Sequence, residues 1–280
     1  MAQTDSKLTW LPQKTFELEF SLPWTEVKKT HNQVLDELVK TTDLKGFRKG
    51  KAPKDLVEKQ VDKGRLYGEV INRLLPESYA AAVKKHQLKP ALGPKITIIK
   101  AEENQPWQFK AKSCELPEVK LGNYEGTVRS ALIKSNLEKK ELPQTQKFNL
   151  IAQALIAEVK PDLPELLIES ERDRLLAKLL AELQKLGLTI DQYAGSNQKT
   201  VEQIKAEYAQ TAVNSLKLEL ILQSIAEAKK FTVTDAEIDK MIAEAGDPKL
   251  KQQLNTPSER AYIGVVLRKK KAIDFLTALG

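Results

Sequence analysis

The spacing of apolar residues changes near the middle of this chain, and this change limits the folds open to it. Residues 15–22 alternate strictly between polar and apolar, and the apolar members are Phe16, Leu18, Phe20 and Leu22. Such alternation is typical of a half-buried strand. Residues 107–112 alternate in the same way, and residues 95–101 form another strand-like run. From residue 148 onward, only helical spacing is found. The sequence therefore predicts an α+β domain followed by an all-α domain.

Helices are predicted between the strands of the first half. Residues 24–42 carry an apolar stripe, made of Val27, Val34, Leu35 and Leu38. A short helix over 54–61 and a longer one ending near His86 should follow. The order strand, helices, strand, strand predicts helices packed on one face of an antiparallel sheet. This domain is predicted to span residues 1–126.

The second half is predicted to be helical, with recognisable helix ends. Its leucine-rich segment over 165–186 is followed by Gly187, a residue that commonly ends helices. Thr234 and Glu237 have the spacing of a capping box at a helix start, and the segment beginning at Thr256 repeats that pattern. Residues 191–196 are interpreted as a hairpin loop. The helical domain is predicted to span residues 147–280, after a polar linker over 127–146.

A basic run at residues 45–54 stands out in the first half. It holds five Lys and Arg and no Asp or Glu. Residues 1–126 hold 22 Lys and Arg against 17 Asp and Glu, so this one run accounts for their whole positive excess. Phe47 lies inside the run, with Gly46 and Gly50 on either side. Pro53 has a backbone angle suited to a first helical position. We interpret the run as a loop that presents Phe47, Arg48 and Lys49 to a polyanionic partner.

We considered three interpretations of this run on the basis of its residues. It could be a solvated turn between helices, since basic runs are only patches until their context is known. A nucleotide-phosphate loop requires four residues between its glycines and then Lys-Ser/Thr. Here three residues separate Gly46 from Gly50, and Ala52 takes the place of the hydroxyl residue, so the run does not fit a nucleotide-phosphate loop. A docking element is the third interpretation.

The motif Gly-Phe-Arg-Lys-Gly-Lys-x-Pro between two helices resembles the ribosome-binding signature of the trigger factor family, the bacterial ribosome-associated chaperones. The resemblance covers residues 8–126. It implies that the ribosome contact is made by Gly46, Phe47, Arg48, Lys49, Gly50 and Lys51. The partners implied are the exit-tunnel region of the ribosome, both protein and rRNA, and unfolded or nascent polypeptides.

The second half resembles the C-terminal domain of the same family in two short motifs. These are Pro161-Asp162-Leu163-Pro164 and Val233-Thr234-Asp235 at a helix start. The resemblance implies a body with two arms, a fold shared with SurA-type periplasmic chaperones, which holds unfolded chains through scattered apolar patches. A homodimer is also among the states open to the protein.

Most members of the family carry a peptidyl-prolyl isomerase domain near residue 126. An independent domain rarely has fewer than about 50 residues, and the polar segment here is far shorter. We therefore expect a form that lacks the isomerase domain and is not an enzyme.

Catalytic, metal and cofactor sites are not predicted. The two histidines, His31 and His86, are far apart in sequence, and metal sites need several convergent ligands. We interpret His31 as a partly buried helix residue. Cys114 is the only cysteine, which suits a reducing compartment, and we interpret it as a structural thiol. No signal peptide or membrane span is recognised, so a cytoplasmic location is expected.

The sequence leaves two functions open. The first is an ATP-independent holdase that docks near the ribosomal exit tunnel and shields emerging chains. The alternative is a basic nucleic-acid-binding or ribosome-assembly protein without chaperone activity, in line with the net charge of +7. Suppression of aggregation of an unrelated denatured enzyme would distinguish them.

Overall fold

The computed structural model describes residues 6–44, 47–48, 50–138 and 143–279. The chain divides into two compact units, residues 1–116 and residues 117–280. The first is α+β and the second is helical, as the hydrophobic spacing predicts. No helix in the described part of the chain is long and apolar enough to cross a membrane.

A four-stranded antiparallel sheet forms one layer of the first unit. Its strands are β1 (Ser6–Trp10), β2 (Thr15–Leu22), β3 (Lys95–Lys100) and β4 (Trp107–Cys114). The order across the sheet is β1-β2-β4-β3. The three predicted strands are confirmed, whereas β1 was not predicted. β1 pairs with β2 through a turn in which Gln13 and Lys14 adopt positive φ.

Helices cover one face of this sheet. They are α1 (Trp24–Thr41), α2 (Lys54–Gln60) and α3 (Lys63–Lys85). The apolar residues of β2 are buried with Trp107 and Phe109 of β4, and Val27 and Val34 of α1 pack onto them. Leu35 of the same predicted stripe faces a separate small cluster near the loop. The predicted arrangement of helices on one face of an antiparallel sheet is confirmed.

The second unit consists of helices joined by short turns. They are α4 (Tyr124–Glu138), α5 (Gln144–Glu158), α6 (Glu165–Lys185), α7 (Ile190–Ser196), α8 (Val201–Ala228), α9 (Asp235–Ala243), α10 (Pro248–Leu254) and α11 (Pro257–Thr277). Thr234 and Glu237 form the predicted capping box, and Thr256 caps α11 in front of Pro257. Gly187 has a φ of +70° just after α6, as expected for a helix stop.

Separate apolar clusters hold this unit together. The largest joins α4, α5, α8 and α11 around Val128, Leu155, Ile225 and Leu276. A second lies in the α6–α8 hairpin, around Leu179, Leu183 and Ile204. Ala194 of α7 is buried in this second cluster. Residues 191–196, interpreted from sequence as a loop, are therefore a packed helix, capped at its start by the capping box of Thr189 and Gln192.

The structure differs from the sequence prediction over the polar middle of the chain. The chain divides into its two units between Leu116 and Pro117, whereas the sequence analysis ended the first domain at residue 126. Much of the predicted linker, residues 127–146, belongs to α4 and to the start of α5, while residues 139–142 lie outside the described residues. The reason is the spacing of Tyr124, Val128 and Leu132, which are four residues apart and all buried. Three such residues give a helix one apolar face, even where its other positions are polar.

Candidate functional site

The basic run lies in the connection between α1 and α2. Four of the six predicted site residues fall within the described residues, and these are Phe47, Arg48, Gly50 and Lys51. Gly46 and Lys49 lie outside the described residues. The helix α2 begins at Lys54, as predicted, and Pro53 is the residue just before it rather than its first residue.

Both ends of the connection are fixed by a small apolar cluster, which we call the loop platform. Its buried members are Leu35, Leu44, Ala52 and Val57. Leu44 comes before the basic residues and Ala52 comes after them, and both are less than 10% exposed. An ion pair between Lys54 of α2 and Asp36 of α1 joins the two helices beside the platform. Because the platform holds both ends, the described residues between them, which include Phe47 and Arg48, are attached to a fixed base.

Hydrogen bonds between backbone groups shape the described part of the loop. The Phe47 N–H donates to the Leu44 carbonyl at 2.9 Å, and the Lys51 N–H donates to the Arg48 carbonyl at 2.9 Å. Gly50 has a φ of +78° and lies against the backbone of Lys40. A side chain at residue 50 would place its Cβ 3.4 Å from the Lys40 carbonyl oxygen.

We predict that Gly50→Ala destabilises the loop and leaves the rest of the fold intact. Alanine in the left-handed region costs roughly 1–2 kcal/mol, and the close Lys40 carbonyl leaves it little room to move. Amide hydrogen exchange of Lys51 should rise, while exchange in β2 and β4 stays unchanged. Gly68 of α3, whose Cβ would meet nothing within 4 Å, provides a control as Gly68→Ala. Unchanged exchange at Lys51 would contradict this account of the turn.

The loop exposes an aromatic ring among cations. The Phe47 side chain is 40% exposed, and Arg48 and Lys51 are exposed as well. Within the described part of the chain, the side chains of Arg48 and Lys51 have no ion-pair or hydrogen-bond partner. Arginine and lysine with an adjacent apolar ring can contact phosphates and an apolar protein surface together. The loop therefore presents positive charge and an apolar ring to solvent together.

His31 and Cys114 were considered as a metal ligand and as a catalytic nucleophile, and both lie in surroundings typical of residues that only stabilise the fold. The His31 Nε2 lies 3.6 Å from a Glu58 carboxylate oxygen, and the His31 ring packs beside Tyr67. Burial raises the pKa of the Cys114 thiol to about 11, so the thiol stays protonated at neutral pH and is a poor nucleophile. Among the described residues, no group of three His, Cys, Asp or Glu is placed to hold a metal ion.

A second candidate surface, which sequence reasoning did not resolve, lies on the helical unit. Leu180, Leu186 and Leu188 are exposed around the end of α6, and Leu186 reaches 71% exposure. We call them the hairpin leucines. Their neighbours Leu179 and Leu183 are buried. The leucine stripe of this segment therefore serves both as core and as open apolar surface, and spacing alone could not assign each residue.

Comparisons with known proteins place both halves in one family. Residues 5–147 match the family model described as bacterial trigger factor protein. Residues 130–278 match the model for the trigger factor C-terminus. The first match contains the basic loop, and the two matches overlap over residues 130–147.

Two relatives each match less than half of this chain. The trigger factor of Moorella thermoacetica is 40% identical over 114 residues, which cover 41% of this chain and 25% of the relative. The trigger factor of Desulforamulus reducens is 34% identical over 139 residues, which cover 49% of this chain and 32% of the relative. The matches thus span a third or less of the length of these relatives.

One solved structure is similar over nearly the whole fold. It belongs to a study of promiscuous substrate recognition in folding and assembly activities of the trigger factor chaperone. The TM-score is 0.65 at 12% identity, covering 98% of this chain and 99% of that chain. At this identity the similarity establishes the fold.

Proposed function

This chain belongs to the bacterial trigger factor family, and from that premise we propose that it is a cytoplasmic chaperone. In this proposal it docks on the ribosome through the basic loop and shields unfolded or nascent polypeptides. The observation that supports it most directly is the exposed Phe47 and Arg48 on a buried platform. The N-terminal family match covers this loop.

Docking would combine two kinds of contact. Arg48, Lys49 and Lys51 would contact rRNA phosphates, and each such contact releases counterions, so binding should weaken as salt rises. Phe47 would bury its ring against an apolar patch of a ribosomal protein. Because the platform holds both ends of the loop, the loop backbone loses less conformational freedom on binding than an unanchored segment would, which favours affinity.

Polypeptide binding would rely on open apolar surface in the helical unit. The hairpin leucines offer such a surface, and Met241 and Tyr262 add exposed apolar groups elsewhere in the unit. Burial of apolar area contributes about 25 cal/mol per Å² before ordering costs are subtracted. Small scattered contacts of this kind give weak, reversible binding.

The sequence contains no phosphate loop of the Gly-x4-Gly-Lys-Ser/Thr type, so we propose that binding and release are independent of ATP.

We predict no peptidyl-prolyl isomerase activity above background. The C-terminal family match begins before the N-terminal match ends, which leaves no segment between them of the size that an isomerase domain requires. A short proline-containing peptide should therefore isomerise at its uncatalysed rate, tens to hundreds of seconds at 25 °C, in the presence of the pure protein. Turnover that co-purifies with the protein through several columns would refute this.

The proposal is tested by two measurements on the full chain. The protein should suppress aggregation of an unrelated chemically denatured enzyme equally with and without ATP, whereas an inert protein of similar size should not. It should also sediment with ribosomes at low salt and be released at high salt. Ribosome binding without any suppression of aggregation would favour the assembly-protein alternative, and loss of both would overturn the proposal.

A further inference from the structure

A cavity of about 320 Å³ lies in the helical unit, between the end of α8 and the middle of α11. Both apolar and charged residues line it. Its volume falls at the lower end of the range found for ligand-binding sites, about 300–1,000 Å³. The cavity therefore suits a small group, such as one side chain with its backbone, better than a long extended segment.

One part of the lining is apolar. Ala226 of α8 is buried in the largest cluster of the unit, and Phe231 packs beside Phe275 of α11 with ring centroids 6.0 Å apart. The Phe231 N–H donates to the Ala226 carbonyl at 2.9 Å, which fixes the turn that places Phe231 at the cavity. Val265 of α11 is partly buried and completes this part. An apolar side chain bound here would be removed from water, which favours binding.

The other part of the lining carries two cations without a partner. Lys230 and Arg268 are both exposed, and within the described residues their side chains make no ion pair or hydrogen bond. The third cation at the cavity is balanced, because the Lys269 Nζ lies 2.9 Å from a carboxylate oxygen of Glu219.

The charge of the lining favours a ligand with a single negative charge. Among the described residues that line the cavity, Glu227 is the only acid, and its carboxylate accepts a hydrogen bond of 3.0 Å from the Gln223 amide. Set against Lys230 and Arg268, this one carboxylate leaves an excess of one positive charge. A carboxylate would balance that excess and could accept two parallel hydrogen bonds from the arginine. A phosphate group, with a charge of about −2, would exceed it.

We propose that this cavity binds the C-terminal residue of an unfolded polypeptide when that residue is apolar. The terminal carboxylate would contact Arg268 and Lys230, and the side chain would lie against Phe231 and Val265. At the end of a chain, a carboxylate and an apolar side chain belong to the same residue, which fits both the size and the lining of the cavity. This inference rests on the proposed chaperone function and gives the helical unit a preference for chains whose C-terminus is free.

The test titrates the full chain with short peptides and follows its amide chemical shifts by NMR. The first peptide is acetyl-Ser-Gly-Ser-Gly-Leu with a free carboxylate, and we expect saturable shifts concentrated at residues 226–231 and 265–268. The same peptide ending in an amide should bind at least about tenfold more weakly, because it loses the charge-assisted hydrogen bonds. A peptide with glycine in place of leucine should also lose about tenfold. Equal binding of the amide, or shifts located elsewhere, would overturn the inference.

An internal acid is distinguished from a chain end by acetyl-Ser-Leu-Gly-Asp-Gly with an amidated C-terminus. This peptide carries a carboxylate and a leucine on different residues, so it should bind about as weakly as the amidated leucine peptide. Binding as tight as that of the free C-terminal leucine would overturn the assignment of the cavity to chain ends.

A substitution in the cavity tests the role of the arginine. Arg268→Gln should weaken binding of the free-carboxylate peptide about tenfold and leave the weak binding of the amidated peptide unchanged. Lys270→Gln removes an exposed cation of the same helix that does not line the cavity, and it should alter neither affinity. An equal loss in both variants would show general attraction to a positive helix and would overturn the inference. Failure of these tests, with suppression of aggregation retained, would leave the proposed function standing.

Discussion

Replacing Phe47, Arg48 and Lys49 together with alanine should abolish co-sedimentation with ribosomes while the far-UV circular dichroism stays unchanged. Phe47 and Arg48 are exposed and lie outside the buried loop platform, so their removal costs the fold little. Residues that anchor an interface commonly contribute about 2 kcal/mol or more each. Loss of three such side chains should weaken binding by at least about a hundredfold.

The helix that follows the loop, α2, provides a matched control. Leu56 of α2 is 40% exposed, the same as Phe47, and Lys59 is an exposed cation on the same helix. The double change Leu56→Ala with Lys59→Ala therefore removes a similar apolar area and a positive charge outside the loop. This control should bind ribosomes almost as the unchanged chain does. Binding retained by the folded triple variant would refute the docking role of the loop, and equal loss in the control would show that the effect is not specific to the loop.

The sheet was only partly predictable from the sequence, for reasons visible in its strands. β2 and β4 lie in the middle of the sheet with one face buried, so their alternation is strong. β1 is an edge strand with only Leu8 and Trp10 as apolar residues, and Trp10 is about half exposed. Its position depends on pairing with β2 and on a contact of 3.1 Å between Ser6 Oγ and His86 Nε2. Partners 80 residues apart give no local signal.

The position of the basic loop between two helices was predictable from the sequence, whereas the packing that supports the loop was not. Charge and the glycines located the loop, because both are local features of the sequence. The platform joins Leu35 of α1 to Val57 of α2 across the loop, and only tertiary packing shows that Leu35 leaves the stripe shared by Val27 and Val34. The exposed and buried leucines of α6 are likewise separated by the position of α8, which helical spacing alone does not fix.

Because the helical unit begins at residue 117, two fragments of it that start at different residues should differ in stability. A fragment of residues 117–280 should fold and unfold cooperatively, because it contains the whole of the largest cluster of that unit. A fragment of residues 127–280, which starts at the sequence-predicted boundary, cuts into α4. It loses Tyr124, which is buried, together with Val119 and Leu121, which pack against the same cluster. It also loses the ion pair of Lys229 with Glu125.

The shorter fragment should be destabilised by about 3–6 kcal/mol, since a buried aromatic and two partly buried aliphatic side chains are removed and their space is left open. For a unit of this size, the expected fall in Tm is roughly 10–20 °C, measurable by circular dichroism. Tyr124→Ala in the longer fragment should reproduce about half of the fall, whereas Tyr124→Phe, which keeps the ring, should have little effect. Equal Tm values for the two fragments would return the boundary to residue 126. If the hairpin leucines bind unfolded chains as proposed, the longer fragment should also suppress aggregation at low and high salt alike, because salt does not screen apolar contact.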